Sequence, residues 1–475
     1  MKNNSFRHHA HEFVDWIADY FENIEKYPVK SQVNPGDIKK QIPINAPEQG
    51  EDMNDIFRDF QNIIMPGISH WQHPGWFAYF PANNSPASVL GEMLTAGLGV
   101  QGMIWDTSPS ATELEEVVMN WLREMIDLPK EFTGVIQDTA STATLCALLS
   151  AREKISSFQI NQKGFRQTMR VYVSSQTHSS IEKDVKIAGF GRENMVVIDV
   201  DEKFAMQPEV LRKAITDDIQ NGLIPCCVVS TLGTTSSMAM DPIEEIGQIC
   251  KDYGIWHHVD AAFAGTAAIT PEYRFFMKGV ELADSFVFNP HKWMLTNFDC
   301  SAYFVKEPEI LKRTFSIMPE YLKTAADEQV NNYRDWGIQL GRRFRALKLW
   351  FVIRSYGVEG IREMVRKHMK LAQMFAGWVE NDPDFEILAP VNLSLVCFRF
   401  KNPGMTEEQL NTSNKELLQK INATGEVYLT HTVLNGKYCI RLSVGQRNTE
   451  EKHVKMVWEI VKSINPATPH PEFYV

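Results

Sequence analysis

SFVFNPHKWM, residues 285–294, is the stretch on which the reading of this chain turns. The apolar run Phe286, Val287, Phe288 breaks at Asn289 and Pro290, and Lys292 follows directly behind His291. An ammonium group is costly to place behind such a run unless it is paired or gives up its charge, and loss of charge is what an imine-forming lysine requires. A strand that ends at the surface with its lysine in water is the competing reading. That reading is the commoner outcome for an isolated lysine, so the choice rests on the neighbouring segments.

Upstream, GIWHHVDAAFAG (254–265) reads as a short apolar strand that ends at Asp260 and runs into small residues. Ligand sites of open α/β sheets lie at such carboxyl ends. An aspartate there, followed by Ala261 and Ala262 that leave room for a planar ring, suits the protonated pyridine nitrogen that makes pyridoxal phosphate an electron sink. Taken alone, Asp260 reads equally as a cap or turn residue. A third segment, DTASTATLCALLSARE (138–153), opens with hydroxyl and small residues and continues as a helix with Leu145, Leu148 and Leu149 inward. A helix start of this kind can hold a phosphate through free amides, hydroxyls and the positive end of the helix dipole. The run Thr139, Ala140, Ser141, Thr142 exceeds what one cap requires. His178 follows the strand Val171–Val173 and precedes an amphipathic helix, where an imidazole can lie over a cofactor ring or fill a polar niche.

These residues carry a resemblance. The chain resembles the group II pyridoxal-phosphate-dependent amino acid decarboxylases, closest to the aromatic L-amino acid decarboxylases. The likeness runs through HWQHPGWFAYFP (70–81), SPSATELEEVVMNWL (108–122), DTASTATL, SSQTHSSIEK, STLGTTSSMAMDPI (230–243), HVDAAFAG, FNPHKWM, NFDCSAYFVK (297–306) and LGRRFRALKLWFVIRSYG (340–357). Each motif is weak; their order and spacing together are specific. The resemblance implies the fold type I architecture of pyridoxal enzymes, aspartate aminotransferase-like, which is an α/β fold.

General properties agree. The 475 residues suffice for a large core and a smaller domain, and 44% hydrophobic with 23% charged residues is ordinary for a globular chain. No membrane span is expected, since the most apolar stretch, Pro86 to Trp105, is interrupted by Glu92 and rich in glycine. No N-terminal segment has the pattern of a signal peptide. A net charge of −11 argues against a nucleic-acid footprint. The seven cysteines lack C-x-x-C spacing and read as buried reduced thiols of a cytoplasmic enzyme without a metal site.

Three zones follow. In residues 1–80, Phe13, Trp16, Ile17, Tyr20, Phe21 and Ile24 recur at helical spacing ahead of a proline-containing linker. Packing on its own domain would cover that face; the resemblance implies instead an arm that wraps a second subunit, making a homodimer. Residues 81–356 alternate short strands with amphipathic helices, the pattern of a mostly parallel central sheet and here the cofactor-binding domain. Strands are expected at 195–200 and 226–230, with helices at 208–220 and after Asp241. Residues 357–475 read as a small α+β domain with strands at 393–400 and 438–444 and a helix at 451–464.

The resemblance also implies residue roles. Lys292 carries the cofactor, Asp260 pairs with the pyridine nitrogen, and His178 stacks on the ring. Ala140 and Ser141 hold the phosphate with help from Asn289 and His291, and Thr235 lies near the cofactor. Tyr321, in a polar loop from about Ser316 to Gly337, returns the proton to Cα from a mobile loop that enters the partner's site. Tyr333 in the same loop is its competitor. Related aldehyde synthases carry phenylalanine at this tyrosine, so Tyr321 with His178 favours amine formation.

Substrate residues implied by the family are Trp71, Tyr79, Phe80 and Pro81, whose aromatic walls suit a flat ring. The same cluster would also suit a buried structural turn. Gly341 matches the small residue found where bulky aromatic substrates are accepted. Three departures stand out: Gln101 and Met103 replace an aliphatic and an aromatic residue of the animal enzymes, and Ala82 replaces a threonine. The expected activity is decarboxylation of tryptophan, tyrosine, phenylalanine or their hydroxylated forms. The alternatives are an aldehyde synthase, a decarboxylase of histidine, glutamate or another amino acid, and a non-catalytic homologue, against which the intact Lys292, Asp260, His178 and Tyr321 argue.

Overall fold

Seven strands form one sheet in the order β1-β7-β6-β5-β4-β2-β3. They are β1 (Thr133–Gln137), β2 (Met169–Ser174), β3 (Met195–Ile198), β4 (Ile224–Thr231), β5 (Trp256–Asp260), β6 (Ser285–Phe288) and β7 (Ser301–Val305). The computed structural model describes residues 3–317 and 329–464. Strands β2 to β6 pair in parallel, whereas β7 runs antiparallel to both β6 and β1. Two reversals cancel, so β1 points the same way as β6. Six strands therefore present their carboxyl ends along one rim of the sheet.

Every residue of β5, β6 and β7 is buried, as expected of inner strands covered by helices on both faces. The helices that matter below are α1 (Asn3–Glu22), α2 (Pro86–Leu98), α3 (Ala140–Ile155), α4 (Ser179–Ile187), α5 (Pro208–Gln220), α6 (Ile243–Tyr253), α7 (Arg345–Glu380) and α8 (Glu451–Ser463). The expected helices at 208–220, after Asp241 and at 451–464 are α5, α6 and α8. Helix α3 carries Leu145 and Leu148 inward as expected, but Leu149 is only half-buried, because it falls at the margin of the helix's buried face. Helix α1 begins at Asn3, well before the apolar spacing starts, since a helix once nucleated propagates through polar residues that carry no periodic signal.

A second sheet, β10-β11-β9-β8, is antiparallel throughout and comprises β8 (Phe385–Ile387), β9 (Leu395–Phe400), β10 (Thr430–Leu434) and β11 (Lys437–Ser443). Val396, Phe398 and Leu442 pack with Phe375 of α7 and Val457 of α8 in one core cluster. Helix α7 is interrupted at Gly357, whose φ of +64° lies in the left-handed region that glycine tolerates.

Two apolar surfaces remain open. On α1, Phe13 packs on Phe57 with ring centroids 4.5 Å apart and Trp16 packs on Phe60 at 5.2 Å. Even so, Phe13, Trp16, Ile17, Tyr20 and Phe21 are only half-buried. On α2, Leu90, Met93, Leu94 and Leu98 form a stripe with 41–63% of each residue exposed. No helix among the described residues is long and apolar enough to cross a membrane, and all seven cysteines are free and buried.

Candidate active site

The rim formed by the carboxyl ends of β1, β2, β4, β5 and β6 carries, in the loops and helix starts that follow, Ala140 and Ser141, His178, Thr235, Asp260 and Lys292. Residues up to 152 positions apart in sequence, Ala140 and Lys292, are thereby brought to one edge. Asp260 closes β5 between Thr231 of β4 and Val287 of β6. It is 6% exposed, and its Oδ1 accepts the N–H of Ala262 at 3.0 Å.

Lys292 lies one turn beyond β6, in the short helix Pro290–Trp293. Burial pushes its ammonium pKa down, with the Asp260 carboxylate opposing that effect. Its Nζ sits 5.6 Å from the centroid of the Phe80 ring, and no carboxylate lies within 4.0 Å of it among the described residues. Lys292 is half-buried, and apolar surroundings without an ion-pair partner disfavour its charged form. Phe80 stacks on Phe263 (4.1 Å, 7°), and Phe263 stacks on Trp293 (4.5 Å, 5°). This column of rings fixes the residue that follows the lysine.

Around the start of α3, Thr139 caps the helix by accepting the Thr142 N–H on its Oγ1 at 3.4 Å. The N–H groups of Ala140 and Ser141 open the helix and have no intrahelical acceptor. Asn289 is 3% exposed, and its Oδ1 accepts the Ser301 hydroxyl at 2.7 Å, which turns its NH2 group away from that contact. His291 Nδ1 accepts the Cys300 N–H at 2.9 Å, so its proton is on Nε2. Burial holds the ring neutral by lowering its pKa to about 3. His178 caps α4, with Nδ1 accepting the Ser180 N–H at 3.2 Å and lying 2.8 Å from the Ser180 hydroxyl. Burial lowers its pKa, against the pull of Asp260. Thr235 is half-buried in the turn after β4, while neighbouring Thr234 is committed to that turn by accepting the Ala239 N–H at 3.0 Å.

The residues present fit pyridoxal phosphate. An amine whose charged form is disfavoured, a buried Asp260 on the adjacent strand end, and a helix start with open amides match the aldehyde, pyridine nitrogen and phosphate in turn.

The substrate candidates form two groups. Trp71, 37% exposed, stacks on Trp76 (4.3 Å) and on Tyr79 (5.9 Å), which is 47% exposed; Pro81 is buried and Ala82 half-buried beside Phe80. The second group is Gln101, Met103 and Gly341. Gln101 Oε1 accepts the Arg342 N–H at 2.6 Å, and a Cβ added at Gly341 would stand 3.1 Å from Gln101 Nε2. Met103 offers its carbonyl to the Arg334 N–H at 2.8 Å. No hydrogen bond or ring contact among the described residues joins the two groups. Tyr321 lies outside the described residues. Its competitor Tyr333 is 2% exposed and packed against Trp336, with Arg342 4.5 Å above its ring, so it is a core residue.

Two residues escaped sequence reasoning. Arg441 is 3% exposed on β11, a strand whose last five residues are all buried. Its guanidinium carbon lies 5.6 Å from the Phe80 centroid, Nη1 donates to Thr430 Oγ1 at 2.8 Å, and Nε and Nη2 have no partner among the described residues. An arginine inside an otherwise apolar strand, YCIRLSV, was the available signal. The other is Asn83, whose polar stretch ANNS carries no signal. A trio of His8, His9 and Glu12 on α1 brings metal-competent atoms within 4.8 Å of one another, away from these strand ends in the sequence.

Comparison with known proteins agrees with this geometry. Residues 35–401 match the family model described as the pyridoxal-dependent decarboxylase conserved domain. The chain is similar to the phenylacetaldehyde synthase of Arabidopsis thaliana, with 46% identity over 97% of this chain and 96% of that protein. It is also similar to tryptophan decarboxylase 2 of Oryza sativa subsp. japonica, with 44% identity over 97% of this chain and 95% of that protein. Its structure resembles the crystal structure of Catharanthus roseus tryptophan decarboxylase in complex with L-tryptophan, with a TM-score of 0.92 and 42% identity over 98% of each chain.

Proposed function

This chain belongs to the pyridoxal-dependent decarboxylase family, and from that premise we propose that it removes CO2 from an aromatic L-amino acid (tryptophan, tyrosine, phenylalanine or a hydroxylated form) to give the corresponding amine. The observation that carries the reading is Lys292, lowered in pKa and without an ion pair among the described residues, set between the charge of Asp260 and the Phe80 ring.

Bound at this rim, pyridoxal phosphate supplies the sink for the electron pair left when CO2 departs. The chain's own residues do the rest. Lys292, whose charged form is disfavoured by its surroundings, would attach the cofactor and give way to the substrate amine. Asp260 would pair with the pyridine nitrogen, and His178 would stack on the ring. Ala140 and Ser141 at the helix start, with Asn289 and neutral His291, hold the phosphate without adding a proton of their own. Arg441, whose Nε and Nη2 have no partner among the described residues, suits the substrate carboxylate at its charged stage. Phe80, Tyr79 and Trp71 suit the flat side chain. The proton that must return to Cα is assigned to Tyr321.

The same reading includes a homodimer. The open stripe on α2 and the half-covered face of α1 support it, because apolar strips of this kind seek a partner surface. Gln101, Met103 and Gly341, which no hydrogen bond or ring contact among the described residues joins to the group around Trp71 and Tyr79, would then serve the partner's site. The working division is an arm and linker (1–80), a cofactor domain (81–356) and a small domain (357–475), with the break at Gly357 at the second boundary. A cytoplasmic location belongs to this reading on the strength of the free cysteines.

A second reading, oxidative conversion to an aldehyde, is favoured by the likeness to a phenylacetaldehyde synthase. Tyr321 and His178 weigh for the amine. The test is product analysis of cofactor-loaded protein with separate L-tryptophan, L-tyrosine, L-phenylalanine, L-DOPA, L-histidine and L-glutamate, with hydrogen peroxide assayed in parallel. Amine without peroxide from an aromatic substrate supports the proposal, and Tyr321→Phe should then divert product toward aldehyde. Aldehyde and peroxide from the unmodified protein would overturn it.

A further inference from the structure

We propose that Asn83 is the positioning residue of Lys292, an inference that rests on the reading of Lys292 as the lysine that carries the cofactor. Asn83 is 1% exposed and lies between Phe80 and the start of α2. Its backbone N–H donates to the carbonyl of His291 at 3.1 Å. Its Nδ2 donates to the carbonyl of Lys292 at 2.6 Å and to that of Gly445 at 2.7 Å, and its Oδ1 accepts the N–H of Arg447 at 2.9 Å. Both amide hydrogens are used and the oxygen has its partner. One buried carboxamide thus joins the backbone of the lysine to the segment that leaves β11, the strand that carries Arg441.

The approach is possible only because residue 445 is glycine. A Cβ there would stand 2.9 Å from Pro81 Cγ and 3.2 Å from Phe263 Cζ, too close for the segment to reach Asn83. Lys292 is therefore braced on both sides of its Cα. Its own N–H donates to the Asn289 carbonyl at 2.9 Å, its carbonyl is held by Asn83, and the next residue, Trp293, is locked in the ring column. A lysine that must release the cofactor and later take it back swings through several ångströms at Nζ. A fixed backbone keeps that arc aimed at the same point and at a constant distance from Arg441. The amide acts on the reaction through Lys292 and touches no reacting atom.

The test uses full-length holoenzyme bearing Asn83→Ala or Asn83→Asp. For Asn83→Ala, kcat should fall about 10- to 100-fold, because misplacement of a reacting group by an ångström has that effect. KM should stay within about threefold, the pattern of an interaction that matters after substrate is bound. Cofactor content should be retained, while the pH titration of the bound cofactor's absorbance shifts. Asn83→Asp keeps the acceptor for Arg447 but sets an acceptor against two carbonyls; its carboxyl must be protonated to donate, so its kcat should recover as pH falls. Asn83→Ala should lack that recovery. Wild-type kcat per bound cofactor together with an unshifted absorbance titration in Asn83→Ala would overturn the proposal, whatever the thermal midpoint. Should the unmodified protein decarboxylate no aromatic amino acid, the functional reading fails, and the absorbance titration still decides the role of Asn83.

Discussion

Trp293 donates its indole N–H to Nδ1 of His368 at 2.8 Å, and the two rings lie 5° from parallel. This contact anchors the residue after Lys292 to the long helix α7 and closes the column Phe80, Phe263, Trp293, His368 at its far end. A site lysine is thereby positioned by packing that extends well behind it.

Replacing that anchor tests the column. In His368→Phe the ring remains but the indole N–H is left buried without an acceptor, which costs about 1–3 kcal/mol. Urea denaturation should show a loss of that size, and the affinity of the apoprotein for pyridoxal phosphate should weaken with it. An unchanged denaturation midpoint would show that the column tolerates loss of the bond.

Arg441 offers two nitrogens, Nε and Nη2, without a partner among the described residues, beside the ring that also faces Lys292. Arg441→Met preserves bulk and removes the charge. We expect kcat/KM for the best aromatic substrate to drop by about 100-fold or more, in line with loss of a buried charged hydrogen-bond partner, while bound-cofactor absorbance persists. Steady-state kinetics with a parallel spectrum separates that result from simple loss of cofactor.

Gly341 and Gln101 share one small space. In Gly341→Ser the new Cβ would stand 3.1 Å from Gln101 Nε2 and push the amide off the Arg342 N–H. The ratio of kcat/KM for tryptophan to that for tyrosine should change by about tenfold, the scale that small changes in a pocket wall produce. Gln101→Ala in the Gly341→Ser background should restore part of the original ratio, and failure to do so would remove Gln101 from the pocket.

Stability should fall steeply below neutral pH. Burial lowers the pKa of His257, His258, His291 and His368 to about 3 and that of His73 to about 4, so the folded chain keeps them neutral where the unfolded chain, at about 6.5, takes up protons. Burial raises Asp184 to about 7 and Asp241 to about 6, so the folded chain holds two carboxyl protons that the unfolded chain releases down to about pH 4. Five histidine protons gained on unfolding against two carboxyl protons lost leave a net uptake of about three near pH 5, a slope of about 4 kcal/mol per pH unit. The histidine contribution is complete above pH 6.5 and is lost as pH falls toward 3. Urea midpoints measured between pH 7.5 and 5 should decline accordingly; a flat profile would mean that these histidines are not buried neutral.

Much of the site was legible because it follows strand ends. An apolar run cut by Asn289 and Pro290, a strand that stops at Asp260 and a hydroxyl-rich helix start are local patterns, and in a sheet where six of the seven strands share a direction their ends meet on one rim. Tyr333 was not legible in this way: a tyrosine in a polar loop looks like a surface residue until Arg342 and Trp336 are seen to enclose it. Gly341 also read differently in isolation, since its open side is filled by Gln101, a residue 240 positions away.

The amino-acid sequence by itself determined the strand and helix pattern, the cofactor chemistry and the identity of the residues at the rim, because apolar periodicity and residue type act over a few neighbours. Only the tertiary structure decided which polar groups support them. Asn83 reaches Lys292 and Gly445, and Arg441 is buried beside Phe80, through contacts between segments that the two sheets bring together from hundreds of residues apart. Such bonds depend on distances of a few tenths of an ångström across the core, and no short-range pattern in the chain encodes them.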